Sequence, residues 1–85
     1  MTKRDKDINR LLDARNDANT DFELLVRVLE RLGYEVRIRG SHHAFRKPGV
    51  PVKLTLAAHG KVAAPYQVRQ VRRVILEFET LEPDE

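Results

Sequence analysis

The sequence predicts an α+β domain: a helix, a three-stranded antiparallel meander and a second helix, with both helices on one face of the sheet. Three observations lead there. Two segments, one near Phe22 to Leu32 and one near Val68 to Phe78, repeat apolar residues at the helical period. Between them lie three short segments that alternate apolar with polar residues, the period of a half-buried strand. Glycine or proline stands at the joins, where a chain must turn.

The 85 residues suffice for one core and no more. With 41% apolar residues, three Phe, two Tyr and no Trp, that core is adequate but thin. Cysteine is absent, which excludes a disulfide framework and any Cys-based zinc site, and suits a reducing cytoplasm. Met1 to Asp7 leads into no apolar run of the signal-peptide kind, and no stretch is long enough to span a membrane. A soluble cytoplasmic protein is the expectation.

Residues 1–19 are polar, with Ile8, Leu11 and Leu12 as their apolar cluster. Those three share one helical face, so the segment is either a short amphipathic helix near Asp5 to Arg15 or a solvated arm, followed by a loop over 16–19. Thr20 and Glu23 have the spacing of a capping box ahead of a helix over 21–32. Its stripe is Phe22, Leu25, Leu29 and Leu32, joined by Val26 or Val28, and Gly33 suits a left-handed cap. The first strand is read over 34–39, with Tyr34, Val36 and Ile38 inward and Arg37 and Arg39 outward. Gly40-Ser41 turns the chain into a second strand over 42–46, and Lys47-Pro48-Gly49 forms the next turn. The third strand is expected over 52–56 with Val52, Leu54 and Leu56 inward. After a loop over 57–64, Pro65 opens a last helix to Phe78, its stripe Val68, Val71, Val74 or Ile75, and Phe78. The acidic tail over 79–85 is expected to be loose. The organisation is thus an extension over 1–19, a domain over 20–78 and a tail.

Charge is distributed unevenly. The formal net charge is +3, yet from Val36 to Leu76 the chain holds Arg37, Arg39, Arg46, Lys47, Lys53, Lys61, Arg69, Arg72 and Arg73 with no Asp or Glu. A segregated basic field attracts a polyanion. The same window contains the adjacent pair His42 and His43, and histidine can give or take a proton near neutral pH. Period two sends the pair to opposite faces. If Phe45 enters the core, His43 goes with it and can rest there as a half-buried ring satisfied by a backbone carbonyl, whereas His42 stands on the open basic face. His42 is therefore the better candidate for catalysis and His43 the fallback. His59, beside Gly60 and Lys61 in a loop, is open to phosphate contact or to plain solvation.

Metal chemistry fits poorly. Neighbouring strand residues cannot share one ion in regular geometry, and a two-metal nuclease needs carboxylates that this window lacks. No metal ligand and no cofactor is expected. There is no phosphate-cradling loop, no nucleophile elbow and no dinucleotide fingerprint.

A helix ending Leu32-Gly33-Tyr34, an alternating basic strand, Gly40-Ser41-His42-His43-Ala44-Phe45, a Pro-Gly turn and a helix opening Pro65-Tyr66-Gln67-Val68-Arg69 together resemble the HicA toxins of bacterial toxin–antitoxin pairs. The resemblance covers about Phe22 to Leu76. It implies a double-stranded-RNA-binding-like α-β-β-β-α fold, metal-independent ribonuclease activity on mRNA, and neutralisation by a HicB-type antitoxin. It implies a catalytic histidine in the Gly-Ser-His motif, at His42, with His43 one alignment step away. RNA contacts are expected from Arg37, Arg39, Ser41, Arg46, Lys47, Lys53, His59 and Lys61. The family often carries His-Pro after its third strand; here Ala58-His59-Gly60-Lys61 occupies that place without the proline.

Two other readings use the same basic window. One is a non-catalytic RNA-binding module of this fold, although the conventional double-stranded-RNA-binding domain opens its last helix with lysines where this chain has Pro65 to Arg69. The other is an interaction protein whose basic face meets an acidic partner chain.

Overall fold

The computed structural model describes residues 3–79, with side chains from residue 6 onward. The elements run α1 (Lys3–Leu12), a 3₁₀ helix (Ala14–Asn19), α2 (Phe22–Arg31), β1 (Glu35–Arg39), β2 (His42–Arg46), β3 (Leu54–Ala57) and α3 (Pro65–Phe78). The strands form one antiparallel sheet in the order β1-β2-β3. The α+β class and the helix–meander–helix order are as expected.

Register shows why the sheet has two unlike faces. β1 pairs with β2 as Val36 with Phe45 and Ile38 with His43, and β2 with β3 as Phe45 with Leu54 and His43 with Leu56. Side chains alternate across a strand, so these residues share one face. Phe45, Leu54 and Leu56 have no exposed surface and join Phe22, Leu25, Val28 and Leu29 of α2 and Val68, Val71 and Ile75 of α3 in one core. The intervening residues form the opposite face, which the helices leave open.

Two inward assignments are corrected. Ile38 shares the core-side face but is 59% exposed, because it sits on an edge strand near the hairpin end. Val52 is also exposed: regular pairing starts at Leu54, so residues 51–53 precede the strand and escape its alternation. Alternation assigns a face, and coverage depends on what lies above it.

The start of α2 also differs from the capping box. Thr20 is wholly buried, and its hydroxyl donates to the Asn16 carbonyl at 2.7 Å. Asp21 takes the cap position without a side-chain hydrogen bond. The Phe22 amide is instead satisfied by the Lys61 carbonyl at 2.9 Å, and the Ala63 amide returns to the Thr20 carbonyl at 2.8 Å. A bridge between Asp21 and Val62 thus ties the entrance of α2 to the loop ahead of α3 and removes the need for a local cap. At the other end Gly33, at φ +99°, makes the expected left-handed stop.

Residues 3–12 are helical, ending short of the expected Arg15, and 14–19 form a 3₁₀ helix that takes in the loop expected over 16–19. Ile8 and Leu11 enter the common core, so α1 forms a further layer behind α2 and α3. Charge reinforces that layer. Asp7 accepts from Arg27 at 2.9 Å and Arg31 at 2.8 Å, both on α2, and its carboxyl is held below the ordinary Asp range chiefly by the Arg27 hydrogen bond. Arg72 of α3 donates to the Leu11 carbonyl at 3.0 Å and pairs with Asp17.

The tail prediction falls mostly on residues 80–85, outside the described residues. Glu79 itself is anchored: it accepts from the Tyr34 hydroxyl at 3.0 Å and the Lys47 ammonium at 2.7 Å. Burial, and secondarily the hydrogen bond to this carboxylate, push the Tyr34 phenol well above the usual tyrosine range.

Candidate nucleic-acid interface

The open face of the sheet is built from three cross-strand rows. At the hairpin end of β1 and β2, Arg39 pairs with His42, and His42 with Ala57. In the middle, Arg37 pairs with Ala44, and Ala44 with Thr55. At the far end Glu35 pairs with Arg46, and Lys53 joins them along a cleft of about 500 Å³ that Val36, Arg37 and Ala44 complete. Arg37, Arg39, His42, Arg46 and Lys53 are all exposed. Gly40 makes the tight connection possible, since its φ of +61° suits the first position of a two-residue hairpin turn.

His42 stands on this face directly across from Arg39. Its imidazole is open to solvent, and nothing in the core competes for it. His43 points the other way. Its ring meets Phe22 edge-on at 5.0 Å between centroids and lies nearly parallel to Phe45 at 6.4 Å. The expected backbone carbonyl partner is missing: Nδ1 is buried without a hydrogen bond, the one such side-chain atom among the described residues. The aromatic rings that hold the imidazole, one of them from α2, offer no acceptor. A buried polar atom left unpaired costs roughly 1–3 kcal/mol.

The remaining site residues scatter. Ser41 is exposed in the hairpin turn, and its carbonyl accepts from the Ala58 amide at 2.8 Å. Lys47 lies off the open face, bound to Glu79, with its ammonium 5.5 Å from the Tyr34 ring centroid. His59 and Lys61 are exposed in the loop between β3 and α3.

Ion pairing engages several cations away from the open face. Arg27 and Arg31 are paired with Asp7, Arg69 and Arg72 with Asp17, and Lys47 with Glu79. Arg37, Arg39, Arg46 and Lys53 form no ion pair among the described residues. Such a surface suits a phosphate backbone, which brings the missing negative charge.

Glu35 was overlooked in the sequence because it lies one residue outside the acid-free window. The signal was present, since Glu35, Arg37 and Arg39 share one period-two face. Among the described residues no group of three or more His, Cys, Asp or Glu side chains comes together to hold a metal ion, and no helix is long and apolar enough to cross a membrane.

Comparison with known families gives a match. Residues 23–76 fit the family model described as the HicA toxin of bacterial toxin–antitoxin. No curated protein and no solved structure matches the chain. The matched segment runs from α2 to the last turn of α3 and contains the whole sheet.

Proposed function

The chain belongs to the HicA toxin family, and from that premise we propose that it is a cytoplasmic, metal-independent endoribonuclease that binds and cleaves mRNA and is neutralised by a HicB-type antitoxin. The observation that carries this reading is the exposed imidazole of His42 on a sheet face whose Arg37, Arg39, Arg46 and Lys53 have no acidic partner. An RNA strand laid across the rows brings a ribose–phosphate linkage to the histidine. The 2′-oxygen attacks the adjacent phosphorus, a 2′,3′-cyclic phosphate forms, and the bond to the 5′-oxygen breaks. His42 takes the 2′-hydroxyl proton or supplies one to the departing 5′-oxygen, help worth about 10²–10⁴ in rate. Arg39, in register with His42, stabilises charge on the phosphate. Ser41, His59 and Lys61 extend the contact beyond the sheet. An antitoxin that covers this face neutralises both binding and cleavage.

A second assignment has its own support. The clamped ring of His43, with one nitrogen sealed and unpaired, is more rigidly held than His42, and a fixed orientation favours proton transfer. Single His42→Ala and His43→Ala proteins decide between them when labelled mRNA is incubated in chelator and growth is followed on induction. The expected result is that His42→Ala loses cleavage and toxicity by at least about 100-fold while RNA affinity stays nearly unchanged. Loss with His43→Ala alone, in a protein that still melts cooperatively, transfers the role to His43. A wild-type protein that binds RNA and leaves it whole makes the chain a binding module.

A further inference from the structure

The open face carries one carboxylate among its cations. Glu35 lies in register with Arg46 and two residues from Arg37, so both guanidinium groups are within easy reach. Glu35 forms no ion pair or hydrogen bond with either, and it is exposed on the rim of two adjoining clefts that share Glu35, Arg46 and Lys53. A carboxylate there repels phosphate, so it weakens a surface whose only task is to hold a backbone. It gains a purpose if the group that meets it is a hydrogen-bond donor.

We propose that Glu35, framed by Arg46 and Lys53, is a nucleobase-reading subsite that accepts from the amino-bearing edge of a base, guanine above all. This rests on the RNA-binding reading above and adds selectivity to it. An ionised carboxylate only accepts, and it has two oxygens side by side. Guanine offers adjacent donors at N1 and N2 that match them as a pair. Adenine and cytosine each offer a single amine, and uracil offers one N–H between two carbonyls that the carboxylate repels. Arg46 and Lys53 hold the phosphates on either side of the base whose edge meets Glu35.

Position makes the subsite distinct from the reaction centre. Glu35 and Arg39 are four residues apart on β1, about 13 Å along an extended strand, and His42 lies across from Arg39. One phosphate cannot touch both ends. The base at Glu35 therefore meets the protein away from the phosphate at which the bond breaks, and the subsite selects where along the message the linkage comes to rest.

The test measures binding of the intact protein to eight-nucleotide oligouridylates that are fully 2′-O-methylated, so that they resist cleavage, and that carry one central guanosine, adenosine, cytidine or uridine. The expected result is that guanosine binds about fivefold or more tighter than uridine, the low end for a paired contact to a base. In Glu35→Ala this preference disappears, and the uridine oligonucleotide binds as well as before or better. A uniform rise in affinity with no preference in the wild type shows that Glu35 acts through charge alone and overturns the subsite, leaving RNA binding intact. A guanosine preference that survives Glu35→Ala places the selectivity elsewhere and also overturns it. Failure of every oligonucleotide to bind removes the RNA reading and this inference with it.

Discussion

Salt dependence gives the most direct test of the open face, because its size follows from a count of cations. Arg37, Arg39, Arg46 and Lys53 share that face without acidic partners. With Lys61 of the adjoining loop they make five contacts; if each meets one phosphate of a single strand, about 0.7 counterions are released per contact, and the slope of log affinity against log salt is about −3.5. Raising salt from about 50 to about 200 mM then weakens binding roughly 130-fold. Arg39→Ala removes one contact, so the slope falls to about −2.8 and the same change in salt costs only about 50-fold. The control is Arg27→Ala, which deletes a cation of equal charge whose partner is Asp7 on the helical side; it should leave the slope unchanged. Fluorescence anisotropy with a non-hydrolysable RNA, repeated at four or five salt concentrations, measures all three. Equal slopes for the wild type and Arg39→Ala, or equal reductions in both variants, would refute the assignment of phosphate contacts to this face.

Two further outcomes concern the layer behind the helices. Leu11 of α1 has no exposed surface, so Leu11→Ala should destabilise the fold by about 2–5 kcal/mol in urea melts; a loss below about 1 kcal/mol would mean that α1 does not pack as described. Asp7 has its carboxyl pKa lowered by Arg27 and Arg31, so its ionised form favours the folded state. Its contribution is complete above the ordinary Asp range and vanishes as pH falls through the depressed folded-state value. The stability gap between the wild type and Asp7→Asn should therefore be widest near neutral pH and close in acid, whereas a gap constant with pH would assign the effect to something other than the ion pairs.

Legibility of the sequence followed the range of the interactions. Phe45, Leu54 and Leu56 declared their face by alternation, and α3 showed both its Pro65 start and its apolar stripe in consecutive residues. His42 could be placed opposite His43 for the same reason. Ile38 and Val52 obeyed the pattern in sequence but not in burial, because exposure depends on where a helix ends and where pairing begins. Thr20 carried the right spacing for a cap and serves another purpose, since Lys61, about forty residues away, satisfies the first helical amide instead. The Tyr34–Lys47–Glu79 contact joins three distant segments, and no local pattern announces such a contact. His43 is the instructive case at the site. Its half-buried position was legible, but whether its nitrogen found an acceptor depended on Phe22, which arrives from another element.

The uneven charge of the sequence acquires its meaning from these long-range pairs. Asp7 and Asp17 come from the N-terminal segment and Glu79 from the end of α3, and each folds back onto a cation of the helical side or the β2–β3 turn. Acids from both ends of the chain thus neutralise cations away from the open face, while the acid-free middle supplies all of the sheet but Glu35. Pairing of this kind weakens the pull of the helical side on a polyanion and so favours the open face, which gives an orientation as well as an attraction. Orientation is what a single exposed imidazole needs, since proton transfer requires the linkage within hydrogen-bond distance of the ring. On the proposed reading, the acidic ends therefore contribute to the site without touching it: they would direct RNA toward the face on which His42 stands.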